Sequence, residues 1–271
     1  MNRIDVAAPN KLGITDAKQL ELAEGAITYA RILELKQNPI TGNFDAAHLK
    51  AIHQHIFQDV YAHAGKFHGV EAIRQKIRVS EATGINSPVY YPPISKAENS
   101  LENVLKSAGG PAAFAGLDKD AFAERMATLY AKVDYLHPFT EGNSRTLRVF
   151  TEQLAKEAGR TFDWGESNAT GAARDKLYAA RDKAVLKMVI HDVKTEKQLM
   201  SISYALHNLE KQPSLAQTIS GYISAQEKKS ETQNHTQSHA SEKNIYANHD
   251  KQLTNINSQN KDQGNGYEMG R

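Results

Sequence analysis

The sequence of 271 residues contains no cysteine and carries almost no net charge. Without cysteine the chain has no disulfide, no thiolate metal ligand and no cysteine nucleophile. Because 33 Lys and Arg stand against 31 Asp and Glu, the formal net charge of +2 gives no electrostatic argument for a nucleic-acid partner. No apolar run approaches the roughly 18 residues of a membrane span, and the N-terminus has no apolar core of signal-peptide length. We therefore expect a soluble protein that binds neither nucleic acid nor membrane.

Most of the chain has the apolar periodicity of α-helices. Apolar residues recur at three- and four-residue spacing, and Asp16 and Asp45 stand in N-cap position before the first two such stretches. The predicted helices cover residues 16–35, 44–65, 97–110, 117–136, 144–160, 173–193 and 195–212. The fourth has to end by His137, since the residue before a proline is pushed out of the helical region. The fold class is mainly α.

Two segments depart from the helical pattern. The runs "KIRV" and "PVYYPP" flank a Gly-Asn-Ser segment and predict a β-hairpin over about residues 76–93, with Pro88, Pro92 and Pro93 confining it to an edge or a free-standing position. From residue 226 onward the sequence is rich in Gln, Asn, Ser, His and Lys, a composition that cannot bury enough apolar surface to fold. We predict one domain over residues 1–225 and a disordered tail over 226–271.

Residues 137–148 read "HPFTEGNSRTLR" and combine several groups that suit a phosphate ligand. A Gly142-Asn143 turn that leads into a helix N-terminus directs several backbone N–H groups to one point, which makes an anion-binding nest. Arg145 and Arg148 are spaced i and i+3, so both can lean over the same face of the new helix. Two guanidinium groups beside a nest fit a polyphosphate better than a single carboxylate.

The same stretch offers a metal ligand and a base. Glu141 at the edge of the nest would repel phosphate unless a cation lies between them, and Mg²⁺ is usually held by one carboxylate together with phosphate oxygens. His137 titrates near neutrality and can accept a proton from a hydroxyl group. Phe139, between these two residues, is expected to point into the core and anchor the loop.

The stretch resembles the Fic motif, whose general pattern is H-x-F-x-[DE]-G-N-G-R-x-x-R. The match departs at Ser144, which stands where a second glycine is usual. The resemblance extends over roughly residues 10–195 and includes "NKLGITDAKQLELAE", the segment "GNFDAAHLKAIHQHIFQDVYAHAG" and the hairpin. The resemblance implies an all-α Fic fold, a helical bundle in which the hairpin at residues 76–93 forms the flap.

The resemblance also implies an activity: transfer of AMP from ATP to a Tyr, Thr or Ser hydroxyl of a target protein, with release of pyrophosphate. By the family pattern His137 is the general base and Glu141 holds Mg²⁺. The phosphate-binding residues implied by the same pattern are Gly142, Asn143 and Ser144 in the nest, and Arg145 and Arg148 on the triphosphate. The target is expected to dock as an extended strand at the flap.

Several alternatives stay open at the level of sequence. A branch of the family phosphorylates its target, but its motif lacks the first glycine and the final arginine, and this chain keeps Gly142 and Arg148, which favours AMP transfer. Transfer of UMP or phosphocholine is compatible with the same residues. A catalytically weakened interaction module and an enzyme that removes AMP are the remaining alternatives.

The last expectation concerns how the activity is inhibited. Many Fic enzymes are inhibited by a helix with the motif [S/T]-x-x-x-E-[G/N], whose glutamate pairs with the second motif arginine, here Arg148. The stretch "LELAEG" has Glu24 and Gly25 but Leu20 where the motif needs Ser or Thr, so it does not match. We therefore expect a separate small helical antitoxin to supply the glutamate. The alternative is export into a host cell without a cleaved N-terminal signal; otherwise the protein is expected to be cytoplasmic.

Overall fold

A computed structural model describes residues 6–79 and 86–224, and most of them are helical. The predicted mainly α fold class is confirmed. The eight helices of the described residues are α1 (Ala17–Gln37), α2 (Ala46–Phe57), α3 (Ile94–Ala108), α4 (Lys119–Leu136), α5 (Asn143–Glu157), α6 (Gly171–Val189), α7 (Glu196–Asn208) and α8 (Leu215–Ser220). Short 3₁₀ helices lie at Pro111–Ala113 and Gly165–Asn168.

The helix starts follow from local capping chemistry. Asp16 accepts a hydrogen bond from the Gln19 N–H at the start of α1, and Asp45 accepts one from the His48 N–H at the start of α2. These bonds satisfy backbone donors that have no partner inside the helix. Both predicted N-caps are therefore confirmed.

Helix α2 is shorter than its sequence pattern predicted. The pattern suggested that it continues to Gly65, but α2 ends at Phe57 and the chain then turns. The N–H groups of Val60 and Tyr61 both donate to the Phe57 carbonyl, and the Gly65 N–H donates to the ring of His53. The apolar residues beyond Phe57 are buried by this turn and not by a continuing helix, so apolar spacing alone was misleading here.

Helix α4 lies at the centre of the fold. It packs against α3, α5, α6 and α8. Apolar residues at helical spacing form one buried stripe along it, with members no more than 3% exposed: Phe122, Met126, Leu129, Tyr130, Val133 and Leu136. Because α4 ends at Leu136, this buried helix delivers His137 and the loop that follows it to a fixed place.

The predicted hairpin is present. Strands β1 (Arg74–Val79) and β2 (Asn86–Tyr91) pair antiparallel from Arg74 opposite Tyr91 to Val79 opposite Asn86. They form a sheet of their own, as the prolines predicted. Residues 80–85, which include the glycine of the predicted Gly-Asn-Ser turn, lie outside the described residues, whereas Asn86 and Ser87 belong to β2.

A second small pairing was not predicted. The two-residue strands β3 (Thr161–Phe162) and β4 (Ile223–Ser224) pair antiparallel, and helix α8 precedes β4. Such short elements leave no periodic signal. The predicted tail, 226–271, lies outside the described residues and its disorder stays a prediction. Within the described ranges, no helix combines the length and apolar character that a membrane crossing requires.

Candidate active site

The loop between α4 and α5 begins with a residue in an unusual conformation. His137 has φ of 46°, in the left-handed region that residues with a Cβ seldom adopt. The Arg74 guanidinium of the hairpin donates to the His137 carbonyl at 2.6 Å, and the His68 N–H donates to the Pro138 carbonyl at 3.0 Å. Such strain persists only where surrounding contacts hold it, and it is often found at functional sites.

The His137 side chain is held beneath the hairpin. It is 6% exposed, and its ring stacks on Tyr91 with centroids 3.8 Å apart. Burial lowers the pKa of His137 to about 4, although the nearby Asp134 carboxylate acts in the opposite direction. The imidazole is therefore neutral at pH 7 and can accept a proton.

Phe139 and Asn143 close the loop. The Asn143 side chain accepts from the Phe139 N–H at 2.9 Å and donates to the Phe139 carbonyl at 2.7 Å. Phe139 is 1% exposed, which places it in the core as expected. Since the Asn143 amide is occupied in spanning the loop, its backbone N–H is the group left for a phosphate.

His53 of α2 supports the loop from below and was missed by sequence reasoning. Its ring stacks on Phe139 at 3.8 Å, accepts from the Gly65 N–H at Nδ1 (2.8 Å), and lies 3.0 Å from the Glu141 carbonyl through Nε2. Nε2 therefore carries the proton and donates to Glu141. Burial lowers the pKa of His53 to about 4, so the ring stays neutral in this role. Its position on the apolar face of α2 signalled burial, but nothing in the sequence signalled its partner.

Gly142 is required for two reasons. Its φ is 77°, and a Cβ at this position would lie 2.1 Å from Cζ of Phe57. Gly142 is also the N-cap of α5, and no described side chain caps this helix end. The first N–H groups of α5 are thus available to an anion, as the nest prediction requires.

The two motif arginines have different neighbours. Arg145 forms an ion pair with Glu24 of α1, donates to Thr28 Oγ1 at 2.9 Å, and lies over the Phe57 ring at 4.7 Å. Arg148 lies over the ring of Trp164 at 5.6 Å. The expectation that both lean toward one polyphosphate remains a prediction.

Glu24 makes a second contact, since the Tyr61 hydroxyl donates to Glu24 Oε2 at 2.7 Å. The inhibitory motif did not fit around Glu24, and the structure pairs this glutamate with the first motif arginine, Arg145, by an ion pair. The sequence contained no signal for that pairing, since 121 residues separate the two.

Ser144, where the motif departs from its usual glycine, contacts a buried arginine. Arg181 of α6 donates from one NH group to Ser144 Oγ at 3.3 Å. The same guanidinium binds both carboxylate oxygens of Asp134 on α4. Since Arg181 can only donate, Ser144 Oγ accepts this bond, and its hydroxyl hydrogen is not used by Arg181.

The donor set at the nest has one carboxylate. Within the part of the chain that the structure describes, no group of three or more His, Cys, Asp or Glu side chains is arranged to hold a metal. Glu141, half-buried beside the uncapped end of α5, is a single hard oxygen donor. Such a donor suits Mg²⁺ when phosphate oxygens complete the coordination.

Comparisons with known proteins identify the family of the chain. Residues 43–155 match the pattern of the Fic/DOC family. The chain is 40% identical over 176 residues to protein adenylyltransferase VbhT of Bartonella schoenbuchensis, covering 64% of this chain and 34% of that protein. It is 30% identical over 186 residues to the probable protein adenylyltransferase Fic of Salmonella typhimurium, covering 65% of this chain and 86% of that protein. The chain thus spans about a third of the length of VbhT but most of the Salmonella relative.

A solved structure supports the fold. The BepC protein of Bartonella tribocorum, a VirB-translocated effector solved with bound AMPPNP, superposes with a TM-score of 0.58 at 20% identity, covering 84% of this chain and 97% of that chain. At this identity the likeness concerns the fold alone. The matched family pattern contains the whole 137–148 loop and helix start, and a relative is matched over most of its length, so this chain belongs to the Fic/DOC family.

Proposed function

We propose that this chain is a protein adenylyltransferase that moves AMP from ATP to a hydroxyl group of a target protein and releases pyrophosphate. The observation that carries the proposal is the pairing of a buried, neutral His137 with the uncapped N-terminus of α5 six residues further along one loop. One group accepts a proton and the other binds anions. The relatives named protein adenylyltransferase support the same activity.

His137 acts as the general base in this proposal. The target oxygen forms a bond to the α-phosphorus of ATP, the bond from that phosphorus to the pyrophosphate oxygen breaks, and the hydroxyl proton passes to His137. A neutral imidazole is the form that can take this proton, and burial keeps it neutral. The contacts of Arg74 and His68 hold the main chain at His137 and Pro138, and the Tyr91 ring stacks on the imidazole.

The phosphates are bound at the start of α5. The backbone N–H groups of Gly142, Asn143 and Ser144 form the nest, and the Ser144 hydroxyl adds a donor. Arg145 and Arg148 bind the triphosphate. Arg145 has to exchange its ion pair with Glu24 for a phosphate or bind the phosphate beside it.

Glu141 would hold Mg²⁺ together with the nucleotide phosphates. Bound there, the ion would neutralise charge on the phosphates and on the leaving pyrophosphate. The His53 ring donates to the main-chain carbonyl of Glu141 and so holds the backbone from which this carboxylate extends.

The hairpin is the proposed docking place for the target. Strands β1 and β2 pair with each other and, among the described residues, with no third strand, so an outer edge is left for an extended segment. Ile77 on β1 is 54% exposed and would contact such a segment. Main-chain pairing needs little target sequence.

Restraint by a separate small helical antitoxin, or export of the enzyme into a host cell, remains part of the proposal. Expression of the chain in bacteria beside its His137→Ala variant tests the first. Poor growth with the wild-type chain alone, relieved by a co-expressed helical partner, supports an antitoxin. Equal growth of both strains would contradict the need for one.

The activity itself is tested with labelled ATP. Purified chain is incubated in cell lysate with α-³²P-ATP or γ-³²P-ATP, and labelled protein is measured. AMP transfer retains the α label and loses the γ label, whereas phosphorylation retains the γ label. His137→Ala should lower α-label incorporation by about 10²–10⁴-fold. His207→Ala, whose side chain is 78% exposed on α7, is the matched control and should match wild type. Retention of the γ label, or wild-type incorporation by His137→Ala, would contradict the proposal.

A further inference from the structure

A buried ion pair lies beneath the proposed base. Asp134 of α4 and Arg181 of α6 are each 2% exposed. Arg181 donates from Nε to Asp134 Oδ2 at 3.0 Å and from one NH₂ group to both carboxylate oxygens, at 2.7 and 2.8 Å. Desolvation of two charges makes a buried pair a weak contributor to stability, and apolar residues often serve as well. Since stability alone does not account for the Asp134–Arg181 pair, we consider its role at the site.

The Asp134 carboxylate of this ion pair lies close to His137. Asp134 precedes His137 by three residues, and its Oδ1 lies 3.8 Å from His137 Nδ1. Nδ1 is buried and has no hydrogen-bond partner within the described part of the chain. Buried polar nitrogens nearly always have a partner. Catalytic hydrogen bonds are often long before substrate binds, and a movement of about 1 Å would complete this one.

The charges around the ring favour the same pairing. Arg74 and Lys76 of β1 both act against a positive charge on His137, and the Tyr91 ring covers one of its faces. Asp134 supplies the negative charge that favours protonation. Arg181 keeps this carboxylate ionised, because its guanidinium holds the pKa of Asp134 well below the usual range.

We infer that Asp134 is a positioning residue for His137. Its carboxylate accepts a hydrogen bond from His137 Nδ1–H, so Nε2 is the nitrogen that takes the proton of the target hydroxyl. The inference rests on the proposed role of His137 as the base. During transfer the hydroxyl proton passes to Nε2, Nδ1–H remains bound to Asp134, and the carboxylate offsets the charge of the imidazolium. Arg181 also contacts Ser144, so one buried residue connects the base with the phosphate nest.

Two variants of the full chain separate positioning from packing. Asp134→Asn keeps the shape of the side chain and removes its charge, whereas Val185→Ala removes buried apolar atoms from α6, the helix that carries Arg181, and no polar contact. We expect Asp134→Asn to lower the rate of α-³²P-ATP label incorporation into lysate protein by about 10–1,000-fold. Val185→Ala should stay within about fivefold of wild type even where both variants lose similar thermal stability. Nucleotide affinity, measured with ATP alone, should be unchanged in Asp134→Asn.

The tautomer of His137 provides a readout that packing alone would not move. The ¹⁵N shifts of its ring, identified by comparison with His137→Ala, should show the proton on Nδ1 in wild type and a shift toward Nε2 in Asp134→Asn. A proton on Nε2 in wild type at pH 7 would overturn the inference, and this measurement holds even if Asp134→Asn fails to fold. Equal losses of activity in Asp134→Asn and Val185→Ala, with an unchanged tautomer, would also overturn it. If His137→Ala retained activity, the proposed function would fail while the tautomer result still decided the pairing.

Discussion

Gly142→Ala should be strongly destabilising, because this position combines a backbone and a steric requirement. At φ of 77°, a residue with a Cβ costs roughly 1–2 kcal/mol. The new Cβ would lie 2.1 Å from Phe57 Cζ, and Phe57 is fully buried, so the ring has little room to move. Overpacking of this kind costs about 1–3 kcal/mol. The sum is a loss of about 2–5 kcal/mol in the free energy of unfolding.

Two glycines serve as matched controls for the separate causes. Gly116 has φ of 74° but open space around its Cβ position, so Gly116→Ala tests the backbone term alone. Gly25 lies within α1 with open space and no positive φ, so Gly25→Ala should be neutral or stabilising by up to about 1 kcal/mol, because alanine favours helix. The difference between Gly142→Ala and Gly116→Ala then measures the contact with Phe57.

Urea unfolding of the three variants supplies the free energies, and thermal melts supply a second measure. For a domain of this size each kcal/mol shifts the melting temperature by about 2–4 °C, so Gly142→Ala should melt about 4–20 °C below wild type. Label transfer should fall in parallel, since the nest depends on this turn. A Gly142→Ala variant no less stable than Gly116→Ala would refute the steric reasoning.

The remaining predictions concern the binding of Mg²⁺, the ion pair of Arg145 and the pH dependence of stability. Glu141→Ala should raise the Mg²⁺ concentration needed for half-maximal label transfer, and an unchanged Mg²⁺ titration would place the metal elsewhere. Glu24→Gln removes the negative charge paired with Arg145 and should tighten ATP binding by about 2–5-fold in calorimetry; weaker binding would mean that Glu24 orients Arg145 for the phosphate. His53 has a pKa of about 4 in the fold against 6.5 as its ordinary value, so the unfolded chain binds more protons between these values and stability falls as pH falls from 6.5 to 4. Burial raises the pKa of Glu152 to about 7, so this residue makes stability fall as pH rises over pH 4.5–7. Unfolding free energies of wild type and His53→Gln across pH 4–6.5 should therefore differ in slope by up to about 1.4 kcal/mol per pH unit, and equal slopes would contradict the assigned protonation state of His53.

Local chemistry made much of the fold and the core of the site predictable. Caps such as Asp16 and Asp45 act within three residues, and the stripe on α4 repeats with the helical period. Pro138 ended α4 for a reason that involves neighbouring residues alone. The motif from His137 to Arg148 lies in one segment, so its order was visible directly.

The length of α2 and the small pairing of β3 with β4 were not predictable in this way. Apolar residues after Phe57 look the same whether a helix or a turn buries them. In the structure the His53 ring accepts the Gly65 N–H within this turn, a contact that apolar spacing does not show. A pair of two-residue strands has too few positions to show a period.

The mainly α class, the helix starts and the loop that joins a histidine to a helix N-terminus are predictable from the sequence, because each depends on residues that are near neighbours in the chain. The side chains that surround this loop come together only when the helices pack. Glu24 meets Arg145 across 121 residues, His53 meets Glu141 across 88, and Arg181 meets Asp134 across 47. Such pairs form when helices pack. Burial by that packing lowers the pKa of His137, whereas burial alone would raise the pKa of Asp134 and the Arg181 guanidinium brought beside it lowers that pKa.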